Sequence, residues 1–246
     1  MMELSTTNQD DAKAFYTSLF GWSYTENPSS PVGTYTMFRI GKPEVASVYT
    51  QLKDQTEAGI PPHWDLYVSV ASADECVKKA AELGGRLFCP PFDIQSFGRM
   101  AVIGDPTGAV ICIWEAKTDH GITLKNEPGC FCWADLSTPN QEAAEKFYTS
   151  LFGWTTVPGE GGYLHLKNGE EFIGGILPAN HLAPGVPPHW MGYFQVSDCA
   201  TATAKARELG GTVCVEPMPN GNVGRMSVVA DRQGAGFALF EMTHPG

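Results

Sequence analysis

The chain has 246 residues, 43% of them hydrophobic, and its 16 basic against 27 acidic side chains leave a formal net charge of −11. So acidic a chain, with no run of Lys or Arg, repels a phosphate backbone or an anionic bilayer, which argues against nucleic acid or a membrane as partner. No apolar stretch approaches the roughly 20 residues that cross a bilayer, and the N-terminus has neither a basic region nor a signal-type apolar segment, so a cytoplasmic protein is expected.

In chain order, a short strand ending near Thr6 leads to a helix that Asn8 or Asp10 can cap. Its apolar positions Ala12, Phe15, Tyr16, Leu19 and Phe20 fall at helical spacing, and Gly21 stops it. Strands are expected at 34–40 and 44–50, separated by Gly41, Lys42 and Pro43. A polar connector follows from Gln51 to Pro62. The strand from Trp64 precedes a helix over about Ala73 to Leu83, ended by Gly84-Gly85. Three further strands read as RLFCPPF, RMAVIGD and AVICIWE, the last two joined by the tight turn Asp105-Pro106-Thr107-Gly108. Thr118 to Gly129 is polar and ends in Pro128-Gly129.

After that linker the plan begins again. LSTTNQDDAKAFYTSLFGW at Leu4–Trp22 returns as LSTPNQEAAEKFYTSLFGW at Leu136–Trp154, 132 residues on, with 14 of 19 positions identical. GIPPHWDLYVSV from Gly59 and GRMAVIGDPTGA from Gly98 return 126 residues on, from Gly185 and Gly224. Two copies of one domain are therefore expected, 1–117 and 129–246 around a linker at 118–128. The seven cysteines are odd in number and lack the spacing of a disulfide framework, which suits a reducing compartment.

The FYTSLFGW helix end, the His-Trp strand followed by a Gly-Gly-stopped helix, and the DPTGA turn before a last strand resemble the vicinal oxygen chelate superfamily: the glyoxalase, bleomycin-resistance and extradiol-dioxygenase group, and more narrowly its two-domain glyoxalase-like members. The resemblance implies an α+β fold of tandem domains, in which four β-α-β-β-β units form two open eight-stranded cups with helices outside. Four units in one chain can pair their cups without a second copy, so either a monomer or a homodimer is expected.

Catalytic members of the group hold a divalent metal with His, Gln or Glu on the first and last strands of each unit. The matching positions here are Met1 and Trp133, Asp65 and Met191, Cys112 and Ala238, with Ser47 to Tyr49 and Gly174 to Ile176 on the remaining strands. Asp65 is the one hard ligand among them and Cys112 a soft one, whereas a usual site needs at least three donors. The expectation is a protein without the usual metal site and without a cofactor.

Strand alternation puts Glu3 on the concave face of the first cup and Asp135, beside Trp133, on that of the second. His63 with Asp65, and His189 with Met191, share those faces. Each cup thus offers a carboxylate and an imidazole, Glu3 with His63 and Asp135 with His189, as a general base, set against the plainer reading in which these groups only hold loops. Tyr35, Tyr49, Trp114, Tyr163 and His165 fall at pocket-facing parity, as ligand-binding or as core residues. Arg99 and Arg225, placed identically in G-R-M, either clamp a ligand anion at the rim or make a salt bridge between two β-α-β-β-β units. Glu115 and Glu241 read as surface or interface residues. The expected function is binding of an apolar or aromatic small molecule, or a lyase- or isomerase-type reaction on it, with the working pocket in the second domain around Trp133, His165, His189, Met191 and Arg225. The alternative is a metal-dependent glyoxalase- or dioxygenase-type enzyme with an unusual ligand set near Asp65 and His63.

Overall fold

A computed structural model describes residues 2–30 and 33–243. The first half of the chain forms β1 (Met2–Thr6), α1 (Gln9–Phe20), β2 (Ser23–Ser30), β3 (Gly33–Arg39), β4 (Glu44–Thr50), α2 (Lys53–Glu57), β5 (His63–Ser69), α3 (Ala73–Glu82), β6 (Arg86–Ile94), β7 (Gly98–Gly104) and β8 (Val110–Ala116). The second half forms β9 (Phe131–Ser137), α4 (Gln141–Phe152), β10 (Thr155–Pro158), β11 (Leu164–Asn168), β12 (Glu171–Ile176), β13 (His189–Gln195), α5 (Cys199–Glu208), β14 (Thr212–Asn220), β15 (Gly224–Ala230) and β16 (Gly236–Met242). Two elements were not expected from the sequence: β2, and the short α2 inside the polar connector.

Each half builds one open, mixed sheet of eight strands, in the orders β2-β3-β4-β1-β5-β8-β7-β6 and β10-β11-β12-β9-β13-β16-β15-β14. The α+β fold, with two open eight-stranded mixed sheets and accompanying helices, is thereby established. Parallel pairs lie where a helix carries the chain across, as in β1 with β4 and β5 with β8; the consecutive strands β2-β3, β3-β4, β6-β7 and β7-β8 pair as antiparallel hairpins.

The helices start and stop where their caps dictate. The Asn8 side chain accepts the Asp11 N–H at 3.1 Å and Asn140 accepts that of Ala143, while Gly21 and Gly153 end α1 and α4 at φ of 71° and 73°. Ser72 and Asp198 cap α3 and α5 in the same way. A second acceptor reaches each of these helices from the closing strand: Glu115 Oε2 takes the Ala73 N–H and Glu241 Oε2 the Cys199 N–H, both at 2.9 Å. Glu115 and Glu241, expected at the surface or an interface, are therefore helix-capping carboxylates.

By Cα proximity the chain divides into two compact units, one made of Met1–Asp65, Gly121–Cys132 and Gly192–Gly246, the other of Leu66–His120 and Trp133–Met191. In the first unit the aromatic rings of Phe15, Tyr16, Trp22, Phe38, Trp64, Phe194 and Phe237 form a buried cluster. Tyr16 accepts the Trp64 indole N–H at 3.0 Å and donates to buried Asp231 at 3.0 Å. The second unit has its own core, in which Ala80, Ile103, Ile111 and Ile113 meet Leu136, Ala144, Phe147 and Leu151. Trp190 donates to Tyr148 there at 2.9 Å. Burying each such large apolar side chain contributes roughly 1.5–3 kcal/mol. Because Leu136, Leu166 and Ile176 lie in that core under α4, alternation turns Asp135, His165 and Gly175 to the face away from the helices.

Candidate functional site

On the helix-free face of the second unit, Tyr163 and Trp133 converge on one carboxylate. Tyr163 donates to Asp135 Oδ1 at 2.6 Å; the Trp133 indole N–H reaches the same oxygen at 3.0 Å and the Tyr163 hydroxyl oxygen at 2.9 Å. Burial and then the neighbouring Asp135 charge raise the Tyr163 phenol far above its ordinary range, so it remains a donor. Local backbone makes this possible. Asp135 lies opposite Gly175 in the β9/β12 register, and a side chain at Gly175 would collide with the Tyr163 hydroxyl. Gln141, first residue of α4, holds the carbonyls of Gly162 and Ile176 at 2.9 Å each, just before Tyr163 and just after Gly175.

His165 stands edge-on to Tyr163, Phe172 and Trp133, with ring centroids 4.8, 5.5 and 6.3 Å away. Phe172 is half exposed, and Lys167 lies over its ring at 5.3 Å. Strict alternation along β12 would place Phe172 with Ile176 under the helix; a bulge against Leu166/Lys167 turns it to the face of His165. Phe172 and Gln141 were both missed in the sequence, the first through that bulge. The second carried a signal: the Asn-Gln pair opens the helix in both repeats, and Gln9 likewise binds the Thr34 carbonyl and Thr50.

The expected pairing of Asp135 with His189 is corrected by these partners. Asp135 serves Tyr163 and Trp133, while His189 Nδ1 lies 2.9 Å from the Pro187 carbonyl, and Met191 occupies the position that carries a carboxylate in the first half.

The helix-free face of the first unit is polar instead. Glu3, buried, accepts from the Tyr35 hydroxyl and from Ser47 Oγ, its partner across the β1/β4 ladder. Tyr49 accepts from Gln55 at 3.0 Å, and burial, then the charges of Asp65 and Glu3, push its phenol up. The pairing of Glu3 with His63 is corrected as well, since the carboxylate that orients the imidazole is Asp65, two residues along the same strand. His63 Nε2 lies 3.4 Å from Asp65 Oδ1, and Nδ1 2.7 Å from the Pro61 carbonyl. Burial opposes the charged ring, but Asp65, the Pro61 carbonyl and more distantly Glu3 outweigh it and push the imidazole up to about 9. At neutral pH His63 is an imidazolium in an ion pair, an acid and not a base.

Arg99 and Arg225 sit elsewhere. Arg99 shares the face of buried Ala101 and Ile103 and grips Asp74, at the start of α3, through Nε at 2.8 Å and Nη2 at 3.0 Å, with Asp93 at 3.3 Å. Arg225, exposed, lowers the pKa of the α5 cap Asp198, behind that residue's own hydrogen bonds to the helix start. The Arg99 guanidinium is thus no rim clamp but a salt bridge to a helix start within its own β-α-β-β-β unit. Trp114 is buried against Tyr67 and donates to the Asp119 carbonyl at 2.9 Å, which ties down the chain after β8.

The family's metal positions do not suit a divalent ion. Met1 lies outside the described residues. Trp133 gives its N–H to Asp135, Asp65 is held by His63, Ser47 is spent on Glu3, and the second half offers Met191, Ala238 and Gly174 to Ile176, none of which is a hard side-chain donor. No three His, Cys, Asp or Glu side chains that could hold a metal come together among the described residues.

Comparison with known proteins gives the following. Residues 1–114 match the family described as a glyoxalase-like domain, and residues 131–239 the Glyoxalase/Bleomycin resistance protein/Dioxygenase superfamily. "Putative glyoxylase CFP32" of Mycobacterium tuberculosis is 39% identical over 98% of this chain and 93% of its own length. The anthracycline biosynthesis protein DnrV of Streptomyces peucetius is 32% identical over 93% of this chain and 87% of its own. Among solved structures, the Mn(II)-bound glyoxalase from Novosphingobium aromaticivorans superimposes with a TM-score of 0.64 at 15% identity, covering 100% of this chain and 84% of its own. The 2,3-dioxygenase LapB from Pseudomonas sp. KL28 gives 0.64 at 16%, covering 100% and 92%. At such identities these structures speak to the fold.

Proposed function

The chain belongs to the Glyoxalase/Bleomycin resistance protein/Dioxygenase superfamily, and from that premise we propose that it binds a flat, apolar small molecule, without a metal ion, against the wall of Trp133, Tyr163, His165 and Phe172. The observation that carries this reading is the Trp133–Asp135–Tyr163 lock. It fixes two large rings in one orientation before any ligand arrives, so little side-chain entropy is lost on binding. Phe172 and Met191 add apolar and adaptable surface on the same face. A relative named for anthracycline biosynthesis supports a fused-ring ligand. The same lock argues against Asp135 as a general base, because its Oδ1 already takes two donors.

Binding rests on Trp133. Removing a ring that buries on the order of 150–250 Å² weakens an apolar ligand by roughly 2–4 kcal/mol where most of that area is shared, about 30-fold or more. A thermal-shift screen of fused-ring aromatics checks it: a hit whose shift persists undiminished in Trp133→Ala would remove the ligand from this wall. Metal analysis of protein purified without added ions is expected to show no stoichiometric Fe, Mn, Ni or Zn. Seven cysteines, all free, one of them exposed, suit a reducing compartment, and we place the protein in the cytoplasm.

A further inference from the structure

The imidazole of His165 is the one part of the aromatic wall whose polar atoms the fold leaves unused. Its Nδ1 is enclosed and meets no hydrogen-bond partner. Its other nitrogen faces Gly159, where a Cβ would come within 2.9 Å of Nε2, so the glycine leaves room for the ring. The neighbouring donors are already committed: the Trp133 N–H to Asp135 and Tyr163, the Tyr163 O–H to Asp135, and the Lys167 ammonium to Glu170 at 3.1 Å. Enclosing an unpaired polar atom costs roughly 1–3 kcal/mol, and an orphaned N–H is rarer in folded proteins than an under-used acceptor. The proton of a neutral imidazole therefore sits on Nε2, with the bare lone pair on Nδ1.

We propose, resting on the binding reading above, that the ligand of this wall carries a carbonyl oxygen on its flat ring system, and that His165 Nε2–H donates to it. The class is an aromatic ketone or quinone rather than a plain arene. The wall supplies rings for the apolar area and, from His165, one N–H donor for orientation; a carbonyl is an uncharged acceptor that tolerates the nearby Asp135 carboxylate, which would repel an anionic oxygen.

Two compounds that differ by one carbonyl make the test: 9-fluorenone and fluorene, titrated calorimetrically into the full chain. The wild type is expected to bind 9-fluorenone about tenfold more tightly. His165→Phe keeps the ring area and should abolish that preference, so that the two compounds bind this variant with equal affinity. His165→Gln, whose amide can donate from a similar place, should retain part of the preference. Trp133→Ala should weaken both compounds. Equal affinities in the wild type, or a preference that survives His165→Phe, overturn the His165 assignment and leave the binding wall standing. Failure of the wild type to bind either compound, or affinities for both that are unchanged in Trp133→Ala, overturn the wall and this inference with it. Nitrogen-15 chemical shifts of the imidazole in the free protein give a check independent of any ligand: the Nε2–H tautomer is expected, and an Nδ1–H tautomer would overturn the proposal.

Discussion

At the scale of single residues, charge placement separates the two repeats. Asp65 and Met191 occupy equivalent positions, and only the former gives its histidine an ion pair. Since the folded state raises the His63 pKa from 6.5 to about 9, it binds a proton there more tightly than the unfolded chain does. The resulting stabilisation is full below pH 6.5 and lost as pH rises through 9. With the His63 side chain 36% exposed, solvent screening reduces it to about 1 kcal/mol. Urea unfolding at pH 6 and pH 9.5 should show this loss in the wild type and little of it in Asp65→Asn; an equal loss in both would mean that another group titrates. Which residues face away from the helices was readable from alternation for Glu3, His63, Asp65, Trp133 and Asp135. Their partners were not, because the bond from Tyr163, just ahead of β11, to Asp135 of β9 crosses β12 and depends on register, and nothing in the order of residues says that Gly175 clears the space Tyr163 fills.

The same limit operates at the scale of elements. The helices α1, α3, α4 and α5 were legible because cap, apolar period and stop agree at each. β2, SYTENPSS, was not, since it is polar and contains Pro28; it lies at the outer edge of its sheet, where a missing N–H and a solvated side cost little. Arg99, left open in the sequence between a rim clamp and a salt bridge, alternates with Met100 in a strand whose face could not be assigned without knowing that Ala101 and Ile103 are buried. Cross-strand partnership also explains why the closing carboxylates matter. Glu241 caps α5 from β16, so Glu241→Ala should cost about 1 kcal/mol by leaving the Cys199 N–H with one acceptor fewer and by removing a negative charge from the positive end of the helix. Glu115→Ala should do the same at Ala73. Denaturant midpoints with unchanged slopes would report it, and midpoints identical to wild type in both variants would show that Ser72 and Asp198 suffice as caps.

At the scale of the molecule, the repeat in sequence and the compact unit in space are different objects. The first unit takes α1 from one half of the chain and α5 from the other; the second takes α3 and α4 likewise. Within the first unit, Phe15 and Tyr16 of α1 stand against Phe237 at 6.5 and 5.6 Å, and the Tyr16 hydroxyl donates to Asp231. A fragment of residues 1–117 therefore lacks Phe194, Asp231 and Phe237, and exposes rings that the full chain buries. Losing even one buried phenylalanine costs roughly 3–5 kcal/mol, comparable with the whole stability of a small domain. The fragment is expected not to be a folded monomer, and to regain near-ultraviolet circular dichroism when mixed with residues 118–246. In the intact chain Phe237→Ala should lower the unfolding midpoint reported by Trp22 and Trp64, although all three lie far apart in sequence. Size-exclusion chromatography and near-ultraviolet spectra of the fragment decide the matter: a monodisperse monomer with wild-type aromatic bands would show that a single repeat closes its own core.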